Sequence, residues 1–593
     1  MSSSGIVTSA STVSTTNASK KGKWPPLRTT FMASIVALGS SFSFGFQLLI
    51  TNPAQGSFIK FLNASKHSND PDDARIAHLE NQWSVIVAIF FLGSMTGAFF
   101  IKTVAERFGR KKGIMLAIVT QITSSLLAIT SYWIVNHYLF AFARFTMGMG
   151  IAVAMGIAAM FVTESSPAHC RGIASLLNGV CLQSSLTIGA VLAMPKLLGT
   201  EDLWWTLYLF QLTINTVVLC ILPVVHESPS YLASQEVKHH DIFKSKVTES
   251  VKFYHEIPYE DAERIAETLI STHQISRSQE TIFSVWRSPF NRRGTLLGMM
   301  VTVAMAMSGI TVINAFAFEI LMDVGMDQDT AAFANAFICV FSLAGIMVST
   351  WIIDHFGRRP LIITTFGFLT IVNVAIISLM WAYSETQNQI VSYLLISSIC
   401  MFNFLFAMGP GPISMFITGE LVPQTCRSAS SVWTNAVMAA VRFLTLTSYL
   451  PVKNLTSEPV AYAIFFIIPM IVAVVVLYFL LPETKGRNVE EIREEISSSG
   501  IVTSASIPFT TNALKKGKWP PLRTTFMASI VALGSSFSFG FQLLITNPAQ
   551  GSFIKFLNAS KHSNDPDDAI IAHLKNQSSA EKNNSEKLER NSR

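Results

Sequence analysis

The chain has 593 residues, half of them hydrophobic and 13% charged, with a formal net charge of +6. Soluble domains carry roughly 25% charged residues, so the composition excludes a soluble globule and points to a polytopic protein embedded in a lipid bilayer. The small positive excess is what membrane topology alone asks of loops, and it argues against a nucleic-acid partner.

Residues 1–30 form a Ser/Thr-rich polar tail, and the apolar run behind it reads as a signal anchor, not a cleavable signal peptide. Runs of about 20 apolar residues, the length that crosses a hydrocarbon core, fall near 31–51, 84–103, 113–133, 138–162, 173–195, 204–225, 295–322, 330–353, 361–382, 391–418, 429–450 and 460–481. The polar stretch between the sixth and the seventh divides them evenly. The predicted fold is therefore an all-α membrane protein of two six-helix bundles. Its expected parts are a cytoplasmic tail (1–30), an N-terminal bundle (31–226), a cytoplasmic linker (227–293), a C-terminal bundle (294–482) and a cytoplasmic segment (483–496). Two further parts follow: 497–577, a near-identical copy of residues 2–82 that includes an extra apolar span, and a polar tail at 578–593 with the composition of a disordered segment.

Lys and Arg collect before the first run, from Lys102 to Lys112, at Arg171, across 238–293, at Arg358 and Arg359, at Arg427, and at Lys485 and Arg487. Positive loops stay cytoplasmic, so alternate crossing places both ends of the twelve-run body inside the cell, with the plasma membrane as the expected location. The sequons at Asn63 and Asn454 then lie on the opposite side and are candidate glycosylation sites. The cysteines Cys170, Cys181, Cys220, Cys339, Cys400 and Cys426 all fall in runs or on the cytoplasmic side, where no extracellular disulfide forms.

The two halves repeat each other. Ala105-Glu106-Arg107-Phe108-Gly109-Arg110-Lys111 returns as Ile353-Asp354-His355-Phe356-Gly357-Arg358-Arg359. The stretch from Glu164 to Arg171 returns from Glu420 to Arg427, and the segment at Glu227 returns at Glu483. An internal duplication produces such a constant offset, and paired homologous bundles are transporter architecture. Charges at membrane depth are costly and usually paired. The expected cytoplasmic lattice joins Arg107, Arg110, Glu164 and Arg171 in one half and Arg358, Arg359, Glu420 and Arg427 in the other, with Glu227 and Glu483 as further acceptors. Such pairs would clasp the halves in one state and release them in the other; the alternative is static bridges at helix ends.

Gly409-Pro410-Gly411-Pro412 interrupts the tenth run and Ser308-Gly309-Ile310 weakens the seventh. Within a membrane, a helix breaks only where protein or a water-filled cavity satisfies the freed backbone, so the first of these reads as a hinge beside a central cavity. No phosphate loop, metal-ligand cluster or nucleophile elbow is present in the sequence, so no enzyme, cofactor or metal is expected.

On these motifs, in this order, residues from about 30 to 490 resemble the sugar porter family of the major facilitator superfamily, most closely the animal glucose-transporter-like facilitators. The resemblance implies the major facilitator fold, with two bundles related by pseudo-two-fold symmetry, and carriage of a small-molecule substrate, a hexose or related polyol, by alternating access. Most of the family's sugar-binding side chains are replaced: its paired seventh-helix glutamines fall at Met305 and Ala306, its asparagine at Thr311, its fifth-helix glutamine at Gly179 and its tenth-helix tryptophan at Met415. Gln183, one turn beyond Gly179, and Thr311 with Asn314 are the candidates to compensate; for each, the alternative is a helix-to-helix hydrogen bond. Arg442 inside the eleventh run admits three readings: a cavity cation for an organic anion, a partner for an internal acid, or a group reaching out to the cytoplasm. Proton-linked relatives carry a carboxylate where this chain has Gln47, and an amide does not titrate; facilitated diffusion is expected, with Glu319 either a proton site or, given its place near the outer end, a solvated acid. A carrier of a small organic anion and a non-transporting nutrient sensor on the same scaffold remain the alternatives.

Overall fold

A computed structural model describes residues 25–65, 73–167, 170–235, 240–275, 281–423 and 426–484. The copied front end (497–577), its sequon at Asn558 and the polar tail (578–593) lie outside the described residues, as do most of the N-terminal tail and nearly all of the 483–496 segment.

No strand occurs among the described residues, and ten helical stretches are long and apolar enough to cross a membrane. They are Leu27–Leu49, Leu79–Arg107, Arg110–Ile134, His137–Ser165, Trp205–Val224, Pro289–Asp323, Gln328–Ser349, Arg358–Thr386, Gln389–Met408 and Glu458–Leu480. The fifth predicted run folds as helix Arg171–Leu192 and the eleventh as Arg427–Leu455.

The seam between the halves is built from two helix pairs. The second span packs along the eleventh and the fifth along the eighth. Within the N-terminal half, the second and fourth spans approach so closely that a Cβ on Gly93 or Gly148 would stand 1.9 Å from the carbonyl oxygen of Phe145 or Phe90. Small residues permit such contact between membrane helices, and here they bring Arg144 to the seam. An apolar cluster including Met32, Val36, Ile118, Ile157 and Phe161 fills that half's interior.

The seventh span breaks as its sequence implies. One helix ends at Ala306 and the next begins at Ile310, with Gly309 at φ +104°. Asn373 on the ninth span donates from Nδ2 to the freed Ser308 carbonyl at 2.9 Å and accepts from the Tyr462 hydroxyl at 2.9 Å. In the tenth span, helix Gln389–Met408 stops at Gly409 and helix Pro410–Leu421 starts at once. Pro410 occupies the first helical position, where no N–H is missed.

Two regions read as polar connections are helical. Gln55–Ser65 forms a helix beyond the first span, and the linker contains Pro229–Ser234, His240–His255 and Tyr259–Ile275. The linker helices bury a small core of their own, centred on Val247, Val251, Ala262 and Ala266.

Candidate functional site

A cavity lies on the seam, walled by Gln47 of the first span, Val87 and Phe91 of the second and Arg144 of the fourth, facing Thr311 and Asn314 of the seventh and Arg442 of the eleventh. It is small, about 20 Å³, where one ordered water needs roughly 10–15 Å³. A larger solute enters only when the halves part.

Arg442 is 6% exposed and lies between two rings of the opposite half, its guanidinium carbon 5.7 Å from the centre of Phe44 and 5.6 Å from that of Phe91. Its Nη2 meets the Met305 sulfur at 3.4 Å, and its Nε is buried without a hydrogen-bond partner. No carboxylate pairs with it among the described residues. The guanidinium is thus enclosed and does not reach the surface. Arg144, 2% exposed, donates from Nη1 to Gln47 Oε1 at 2.8 Å and lies 5.0 Å over the Phe90 ring. Gln47 in turn donates from Nε2 to Gln211 Oε1 at 2.7 Å. Sequence reading of the fourth run passes over Arg144, although the rule that marks Arg442, a cation inside an apolar run, marks it equally.

The other expected pocket residues divide. Thr311 and Asn314 line the cavity; the Thr311 hydroxyl donates to the Ala306 carbonyl across the helix break at 3.1 Å. Gln183 does not line it: its Nε2 donates to Ser342 Oγ at 2.7 Å, a bond between the fifth and eighth spans. Met415 is 47% exposed and stands outside the cavity wall, on the surface of helix Pro410–Leu421.

Two copies of one charged cluster mark the basic end. Arg110 grips Glu164 with two nitrogens, Nη2 at 2.7 Å and Nε at 3.0 Å, and the Ser228 hydroxyl also donates to Glu164. The backbone N–H groups of Arg110 and Lys111 donate to Glu227 at 3.0 Å each. In the second copy, Arg358 Nε lies 3.5 Å from Glu420 and the Thr484 hydroxyl donates to Glu420. The N–H groups of Arg358 and Arg359 donate to Glu483 at 3.0 and 3.2 Å. Gly109 (φ +88°) and Gly357 (φ +86°) make the turns that aim these N–H groups. Burial pushes the Glu227 carboxyl above the usual carboxylate range, while the N–H groups of Lys111, Ser228 and Arg110 hold it down.

Each of these bonds joins helices of one half. The reason is reach: each arginine opens its half's third helix and meets the acid closing the fourth. Arg107 is exposed beside the Phe108 ring, Arg359 donates to the Tyr478 carbonyl, and Arg427 lies against Gly419. Arg171 opens the fifth span, and its side chain lies outside the described residues.

Apart from the Gln183–Ser342 bond, the described hydrogen bonds that cross between halves gather toward the sequon end. Asn52 donates to the Asn314 carbonyl at 3.2 Å and accepts from the Phe318 N–H at 2.9 Å. Gln55 donates to Glu319 at 2.7 Å; within the C-terminal half, Lys453 binds both Glu319 (2.7 Å) and Asp323 (2.6 Å). Glu319 is therefore a bonded, largely buried acid and not the solvated one that is one of its two readings, the other being a proton site. Of the two sequon asparagines, Asn63 is half-buried and Asn454 exposed; Asn454 approaches Asn81 of the other half at 3.5 Å.

A family model described as "Sugar (and other) transporter" matches residues 32–496. The chain is 27% identical over 475 residues to solute carrier family 2, facilitated glucose transporter member 3 of Ovis aries, covering 78% of this chain and 91% of that protein. It is 26% identical over 466 residues to member 9 of Homo sapiens, covering 78% and 84%. Among solved structures, the partially occluded inward open conformation of the xylose transporter XylE from E. coli superposes with a TM-score of 0.63 at 17% identity, covering 77% of this chain and 99% of that one. With the family model spanning well over half of its length, this multi-pass membrane protein belongs to the sugar (and other) transporter family, as a sugar porter of the major facilitator superfamily.

Proposed function

We propose that the protein is a facilitative carrier, a uniporter of a hexose or related small polyol, working by alternating access in the plasma membrane with its N terminus cytoplasmic. The observation that carries this reading is the cavity walled by both halves, with the broken seventh span forming one side of it. A solute held there touches both bundles, so parting them at one end or the other changes which solution it faces. The relatives' own names, facilitated glucose transporters, support the substrate class.

Gln47 supports uniport over proton coupling. It bonds Arg144 through an amide oxygen and takes up no proton near neutral pH. Thr311, Asn314 and Arg442 serve as substrate contacts in this reading, Gly409 to Pro412 as a hinge, and the two Arg–Glu clusters keep each bundle rigid while it rocks. Asn63 and Asn454 carry glycans on the outer face, which deglycosylation and a mobility shift would detect.

The test is uptake of labelled D-glucose and of a polyol panel into liposomes holding the purified chain, with and without a pH gradient. Uptake to equilibrium at the same initial rate in both conditions is expected. Accumulation driven by the gradient would overturn uniport, and absence of all uptake would overturn the hexose or polyol as its substrate.

A further inference from the structure

The cavity wall contains two arginines and no aspartate or glutamate. A guanidinium near the centre of a bilayer costs at least ~2.5 kcal/mol on insertion scales and is ordinarily paired. Arg144 is partly answered by the Gln47 oxygen, but Arg442 has no oxygen partner among the described residues. Phe44 and Phe91 cover its region from the opposite half, and ring contacts stabilise a cation by its charge without accepting its N–H groups. A guanidinium has five N–H donors in one plane. Here a single sulfur, a weak acceptor, meets one nitrogen.

A neutral sugar gains little from such a site, since its hydroxyls are satisfied as well by amides. A carboxylate fits it: two oxygens match two parallel N–H donors, and the charge pairing is strong where water is excluded. The remaining polar wall, with the Gln47 and Asn314 amides and the Thr311 hydroxyl, suits hydroxyl groups on the same molecule.

We propose that the cavity is an anion site, in which Arg442 binds the carboxylate of a small hydroxylated acid and Arg144 supplies a second positive charge. The proposal rests on the carrier reading and narrows its substrate class from neutral polyols to sugar acids. Met305 then spaces the guanidinium without competing for the carboxylate, and the two phenylalanines face its charge from the far side of the seam.

D-glucuronate and D-glucose differ only in having a carboxylate or a CH2OH at one carbon, so they separate the two claims. Each, labelled, is offered at neutral pH to liposomes holding the full-length chain, wild type, Arg442→Gln or Arg442→Lys, with the elution profile and thermal midpoint of each variant checked first. Wild type is expected to take up glucuronate at least tenfold faster than glucose at equal concentration. Arg442→Gln should lose that preference at least tenfold, and Arg442→Lys should keep an intermediate part of it. Glucose uptake without glucuronate uptake in wild type overturns the anion site and leaves the carrier standing. Glucuronate preference unchanged in a folded Arg442→Gln also overturns it, and uptake of neither solute by wild type removes both readings. Should Arg442→Gln fail to fold, wild type and Arg442→Lys decide: equal preference in the two argues against directed carboxylate binding.

Discussion

Glu164 accepts two nitrogens of Arg110 and the hydroxyl of Ser228, so most of its lone pairs are occupied at a helix end that is only partly hydrated. Lysine carries the same charge but not the planar fork. Arg110→Lys is therefore expected to lower stability by about 1.5–3 kcal/mol, the scale of one charged hydrogen bond, seen as a lower thermal midpoint in detergent. An unchanged midpoint would show that the pair adds nothing to stability. At this scale the repeated motifs name both clusters before any coordinates, since Arg110, Glu164 and Glu227 and their counterparts do meet. Partner choice is the part that stays hidden. Nothing in residues 44–47 says that Gln47 meets Arg144, because that pairing depends on how closely Gly93 and Gly148 let two helices approach.

A broken helix needs acceptors and donors for the groups it frees, and the seventh span finds them on two neighbours. Asn373 bonds the Ser308 carbonyl while Tyr462 fixes the Asn373 amide. Asn373→Leu leaves that carbonyl unsatisfied inside the bundle and should cost about 1–3 kcal/mol. Gly309→Ala meets two obstacles together: a φ of +104° that disfavours any side chain, and a Tyr462 oxygen 2.8 Å from the new Cβ. Both variants should unfold at lower temperature than Ser308→Ala, which changes a side chain bonded only to its own turn; equal midpoints for all three would contradict the account. The break itself is legible in Ser308-Gly309-Ile310. Its anchors are not, because a lone asparagine in the ninth run has no sequence mark that tells a neighbour's backbone from a substrate. The linker helices escape notice for another reason: their apolar residues are few, and they fill a core only when helices His240–His255 and Tyr259–Ile275 lie together.

Across the molecule, described bonds between halves concentrate at the sequon end, and there the joining groups are Asn52, Gln55 and Glu319 more than arginines. The two bonds of Asn52 are uncharged and worth about 0.5–1.5 kcal/mol each, weak enough to break and reform in a working cycle. Asn52→Ala removes both and should shift the population toward opening at that end by roughly tenfold, since 1.4 kcal/mol is one decade. The readout is the labelling rate of a cysteine placed at Ala315 in the cavity wall by an impermeant reagent added from that side; a rate equal to that of the parent would discount Asn52 as a latch.

The copied front end poses a question of space. The place for a first span in the N-terminal bundle is already taken by Leu27–Leu49, where Met32, Val36 and Phe46 are fully buried against their neighbours. Residues 526–546 repeat the sequence of residues 31–51 and bring no side chain that the original does not already supply. The original is joined to the bundle by a short stretch of chain, which gives it the higher effective concentration at the slot. A chain ending near residue 495 is therefore expected to insert, fold and transport as the full chain does, measured as uptake per molecule in liposomes. A truncated protein that reaches the membrane in equal amount yet transports several-fold less would assign the copy a working part in the carrier, and Met32→Asp in the original would then be tolerated because the copy could replace it.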